Sequence, residues 1–154
     1  VDAALTESER TGGPAAALEL PDGSIVTGKT SDLLGACSAL LLNALKELAG
    51  IGHEIKIISP QAIEPIQSLK TKYLGSRNPR LHTDEVLIAL SVSAATSEDA
   101  KLAMEQLPKL KGCQAHVSVM PGSVDIKQFK LLSIQATFEA KYEKNSVFFN
   151  NKGV

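Results

Sequence analysis

The sequence predicts an α/β domain of three layers, with helices on both faces of a mixed sheet of about five strands. Three observations carry this. A hairpin pattern surrounds Pro21-Asp22-Gly23, a wide apolar helical stripe follows it from Leu33, and two later alternating segments, Gln114–Met120 and Ile134–Tyr142, are separated by a helical one.

The hairpin comes first. Ala16–Leu20 and Ser24–Gly28 read as its strands, because Pro21 presets φ and Gly23 permits a positive one between them. Gly23 to Thr30 also satisfy G-x-x-x-x-G-K-[ST]. A phosphate-cradling loop needs inward-turning backbone N–H groups, whereas Ile25, Val26 and Thr27 are β-branched and favour extended geometry. A strand is the better parse, so neither tight ATP binding nor ATP hydrolysis is expected. The stripe Leu33, Leu34, Cys37, Leu40, Leu41, Ala44, Leu45 and Leu48 then predicts a helix starting near Thr30. Thr30 or Ser31 would cap it, Asp32 would suit its dipole and Gly50 would close it.

Glu54–Ile58 reads as a short strand, and Ser59 with Pro60 opens a helix reaching about Leu74, with Pro65 as a source of kinking. Gly75 to His82 is a loop by composition. Thr83-Asp84-Glu85 is the acidic start of a helix through Ala95, and Thr96 or Ser97 restarts one that runs through Leu107. Gln114–Met120 alternates as a strand, Ser123 caps a helix ending near Leu132, and Ile134–Tyr142 is a half-buried strand. Residues 1–14 read as an extension or linker, 15–143 as the domain and 144–154 as a tail.

The chain of 154 residues is 44% apolar, enough for one cooperative core. Its 16 basic and 17 acidic residues are interspersed and only six aromatics are present (two Tyr, four Phe), which excludes the footprint of a nucleic-acid or anionic-membrane binder. Leu33–Leu45 is too short to span a bilayer. Cys37 and Cys113 are two distant cysteines, not a disulfide framework, and point to a reducing cytoplasm. The absence of an initiator Met and the polar opening suggest a piece of a longer or processed polypeptide.

Ala17–Ala36, Asn78–Leu90 and Glu105–Cys113 are long strings that resemble the C-terminal part of a bacterial family of long, uncharacterised cytoplasmic proteins, a domain of unknown function. The likeness runs roughly from Ala15 to Tyr142. It implies a C-terminal subdomain of a protein several times longer, with a fold similar to that of cytidine deaminases. The ATP-dependent-peptidase label on some members matches nothing here beyond the Gly-Lys-Thr string. The family offers no established activity, so no catalytic residue is carried over.

Zinc deaminases need a His or Cys two residues before a Glu, and a Pro-Cys-x-x-Cys. Neither occurs, Cys37 and Cys113 read as small core residues, and no metal or cofactor is expected. Three places are denser in polar chemistry than a scaffold requires. At Lys29, Thr30, Ser31 and Asp32, a helix start with a cation and two hydroxyls can hold an anion, although capping alone explains three of the four. Around Arg80, His82 and Asp84, with Arg77 and Glu85 nearby, a guanidinium, an imidazole and carboxylates gather at another helix start; Asp84 and Glu85 have a dipole reason to be there, Arg80 and His82 have none. His116 and Ser118 fit a cross-strand hydrogen bond, and His53 a surface position.

The expected role is a scaffold that packs on the remainder of a longer polypeptide and supplies one wall of a site for an anion or phosphorylated small molecule. The alternative is a purely structural or homo-oligomerising subdomain. The two part on geometry: the site requires that the Lys29–Asp32 and Arg80–Asp84 segments meet in space.

Overall fold

A computed structural model describes residues 1–140. Four strands, β1 (Ala15–Glu19), β2 (Ile25–Lys29), β3 (Gln114–Val117) and β4 (Gln135–Phe138), form one mixed sheet in the order β2-β1-β3-β4. β1 pairs antiparallel with β2 and β3, while β3 and β4 are parallel and joined through helix α6 (Ser123–Leu131). The hairpin is present, with Gly23 at φ 89° in its turn and β2 at the sheet edge. The Gly-Lys-Thr string is thus strand followed by loop, not a phosphate-cradling turn into a helix.

The sheet's first face carries Ala16, Leu18, Val26, Gly28, Ala115 and Val117, which the register places side by side. Helix α2 (Ala36–Ala49) packs on it, burying Leu40, Leu41, Ala44 and Leu45 completely. Gly28 permits that approach: a Cβ there would lie 2.7 Å from both Ala36 O and Leu40 Cα. Helices α3 (Pro60–Ser68), α4 (Thr83–Ser93) and α5 (Glu98–Met104) extend this layer, and α6 closes it with Phe129, 1% exposed.

The structure differs from the sequence expectation in four places. Residues 2–11, read as an extension, form helix α1 (Asp2–Thr11), which buries Ala4 and packs on the second face of β1 and β2. Gly12 ends it in the left-handed conformation, φ 75°. The sheet has four strands rather than about five, because Glu54–Ile58 forms turns: Ile57 and Ile58 are buried, but Ile55 N–H bonds back to Gly52 O and no strand lies alongside. α2 starts at Ala36, not near Thr30, since Leu34 is drawn into a parallel bridge with Leu81 that holds the preceding residues extended. Finally, α3 accommodates Pro65 and then widens into a π-turn, Leu69–Tyr73.

Smaller shifts concern caps: Ser97 caps α5 through Ala100 N–H as expected, whereas Gly35 and Gly122 occupy the N-cap positions of α2 and α6. The end of the last expected strand, Lys141 and Tyr142, and the expected tail 144–154 lie outside the described residues. Among the described residues no helix is long and apolar enough to cross a membrane.

Candidate functional site

The Leu34–Leu81 bridge brings the two polar segments of the sequence together. Leu81 N–H donates to Leu33 O at 3.0 Å, Gly35 N–H to Leu81 O at 3.4 Å, and Ser38 Oγ to the same carbonyl at 2.8 Å. Arg80 Nε donates to Ser31 O. Above this seam, at the carboxyl end of β3, lies a cavity of about 380 Å³.

Its polar lining comes from Thr30, Arg77, Asn78, Arg80, His82 and Asp125, and its apolar lining includes Val117, Val119 and Met120. Two helix starts also open on it. Gly35, Ala36 and Cys37 line it from α2, and Gly122 from α6. Neither end is capped by a side chain, because both N-caps are glycine. First-turn N–H groups without such a cap are donors with a partial positive charge behind them.

The third helix start, that of α4, is closed. Asp125 Oδ1 accepts from Thr83 N–H at 3.0 Å and from Thr83 Oγ1 at 2.8 Å, Asp84 Oδ1 accepts from Glu85 N–H, and Glu85 Oε1 accepts from His82 N–H at 2.8 Å. Glu85 Oε1 also meets Lys70 Nζ at 2.8 Å, and that ammonium donates to Arg80 O at 2.6 Å. Lys70 is 7% exposed and sits in the π-turn, so the widened turn anchors the Arg80–His82 loop from beneath.

The expected site residues therefore divide. Thr30, Arg80 and His82 line the cavity, and Ser31 supports it through its carbonyl, while its hydroxyl accepts from Leu33 and Leu34 N–H. Lys29, Asp32 and Asp84 are not part of the lining. Lys29 pairs in register with Ala15 on the second sheet face, beside α1. There the Arg10 hydrogen bond lowers the Glu7 carboxyl pKa, and the Lys29 charge adds to it against the opposing effect of burial. The Asp32 carbonyl accepts from Gln67, and Asp84 serves its own helix end. Arg77, Asp125 and Lys70 join the site, and only Arg77 belongs to a segment that the sequence marks as polar. Asp125 and Lys70 are not legible there, because they act through contacts 42 and 15 residues away in sequence.

Cys37 lines the cavity yet is buried; burial pushes its thiol well above the usual value, and the Asp125 charge adds to this. Cys113 is raised by burial and then by Glu19. Both thiols stay protonated in the fold, so stability is full below the ordinary thiol pKa of about 8.5 and falls as pH rises through it towards the raised folded values. A disulfide thiol reagent at pH 7 should thus label neither cysteine in the native protein and both after unfolding; rapid native labelling of Cys37 would contradict its burial. Among the described residues no three His, Cys, Asp or Glu side chains gather as a metal-binding group. His116 bridges β3 and β4, with Nδ1 2.6 Å from Thr137 Oγ1 and Nε2 2.7 Å from Glu139 Oε2, while Ser118 Oγ accepts from Ala15 N–H.

Comparison with known proteins gives the family. The model described as "Domain of unknown function DUF1846, C-terminal" matches residues 1–148. A UPF0371 protein of Corynebacterium glutamicum is 57% identical over 145 residues, 94% of this chain and 29% of its own length. A UPF0371 protein of Corynebacterium efficiens is 58% identical over the same shares, and one of Streptococcus thermophilus is 48% identical over 148 residues, 96% of this chain and 30% of its own. The chain thus spans about 30% of the length of these relatives. It belongs to the C-terminal DUF1846 domain family, as found in the longer bacterial UPF0371 proteins.

Proposed function

We propose that this domain forms one wall of a binding site for an anionic, phosphate-bearing small molecule in a longer cytoplasmic polypeptide. One observation carries the reading: two helix starts without side-chain caps and the Arg77 and Arg80 side chains border the same cavity at the carboxyl end of β3. Helix N–H groups and their dipole favour negative charge, and a guanidinium adds a two-pronged donor. The carboxyl ends of strands are also where open α/β sheets receive ligands. Asp125 brings a negative charge to the same cavity, which suits a ligand that carries a hydroxyl or amino donor beside its phosphate. Catalytic groups, if the full-length protein is an enzyme, come from the rest of the polypeptide in this reading. The resemblance to cytidine deaminases is proposed as one of fold only, with no zinc chemistry attached.

A second reading, a structural or oligomerising subdomain, has its own support. Ile88 and Val92, one turn apart on α4, are 64% and 69% exposed. Apolar side chains at i and i+4 form one face, and such a face marks an interface.

The test compares full-length wild type and Arg80→Ala in thermal melts with and without inorganic phosphate. Phosphate should raise the wild-type Tm and stabilise the variant much less, while the anion-free melts differ by no more than loss of the Ser31 hydrogen bond allows, about 0.5–1.5 kcal/mol. Equal anion-induced stabilisation would remove Arg80 from the site.

A further inference from the structure

We infer that the uncovered half of the second sheet face is the docking surface for the preceding part of the full-length polypeptide. The first face is buried throughout under α2 and its neighbours. On the second face α1 packs on β1 and β2 and reaches only the margin of β3. β3 and β4 are nevertheless a parallel pair, the kind of pairing that α/β proteins cover on both sides.

On this half of the face the register sets a ladder, exposed Gln114 beside exposed Gln135, and exposed Thr137 beside His116, which is itself buried. They border a cavity of about 370 Å³ whose other wall is the first turn of α1. Ile25, 52% exposed, stands at the same cavity. The mixture of ordered polar groups and an exposed apolar one fits a protein surface better than water. His116 is already 6% exposed and held by Thr137 and Glu139, so the ladder is rigid before anything covers it.

The occupant follows from the length of the relatives. About 70% of their length lies outside the matched part, and the matching family model is that of a C-terminal domain. Residues preceding Val1 in such a polypeptide emerge beside this cavity, so the tether delivers the preceding body to this face at high effective concentration. A separate partner would lack that advantage. This inference concerns the opposite face from the proposed anion site and stands independently of it.

The test is thiol labelling in the full-length polypeptide. Thr137→Cys and, as a second position that leaves the His116 contact intact, Gln135→Cys are each labelled with a maleimide in native buffer and after unfolding in guanidinium. Native labelling slower by about ten-fold or more in the monomeric protein is expected, as a covered site opens only by local separation of the two bodies. Labelling at the unfolded rate in a folded protein would overturn the inference. Protection lost on dilution of a dimer would assign the face to a second copy, and protection lost on removal of residues 141–154 would assign it to those residues; either result also overturns it.

Discussion

Gly28→Ala is expected to destabilise the domain by about 1–3 kcal/mol or more, the range for forcing a methyl group into a packed contact. The added Cβ would meet Leu40 N, Leu40 Cα and Ala36 O, all backbone atoms of α2 that cannot rotate aside. Relief requires moving α2 off the sheet, which separates Leu40, Leu41 and Leu45 from Leu18 and Val26. The neighbouring Lys29→Ala should cost less than about 0.5 kcal/mol, because Lys29 is exposed at the end of an edge strand. Urea titration reads both variants as shifts in midpoint at unchanged slope. If Lys29→Ala were the more damaging of the two, the glycine would not be serving helix packing.

Lys70→Met should cost about 1–3 kcal/mol, as expected when the ammonium of a half-buried ion pair is removed and its acceptors lose their donor. The loss leaves the Arg80 carbonyl without its ammonium donor and Glu85 with only the His82 N–H. The Arg80–His82 loop would then loosen, so the variant should also lose phosphate-induced stabilisation. Adding Glu85→Gln removes the stranded charge and should recover part of the stability, a coupling that a double-mutant cycle measures. Strictly additive losses in the two single variants would show that Lys70 and Glu85 are not energetically linked.

Much of the fold could be read from periodicity. The hairpin, α2, β3 and β4 carry a period of two or of about 3.6, while α4 follows from an apolar run behind an acidic start and α6 from the Pro-Gly-Ser turn before it. α1 is hard to read because it is mostly polar: Ala4 is its only fully buried side chain, and its signals are the first-turn Asp2, the last-turn Arg10 and the terminating Gly12. Glu54–Ile58 misled in the opposite direction, since Ile57 and Ile58 are core residues on a turn, and burial without a pairing partner does not make a strand.

For the site, the sequence showed which polar residues were unusual but not which of them meet. Arg80 and His82 had no local reason for their positions, and both line the cavity; Asp84 had one, and it serves its helix. Lys29 was placed by strand parity, because Gly28 faces α2 and its neighbour must point the other way. The uncapped ends at Gly35 and Gly122 are contributed by residues without side chains, so no donor or acceptor in the sequence advertised them.

The most direct test of the proposed site is a crystal structure of the full-length polypeptide grown with tungstate, a heavy-atom stand-in for phosphate, and phased to show its anomalous signal. A tungstate is expected in the cavity at the end of β3, within hydrogen-bond reach of the first-turn N–H groups of α2 and of the Arg80 guanidinium. A structure that binds tungstate only elsewhere, with this cavity accessible and empty, would contradict it.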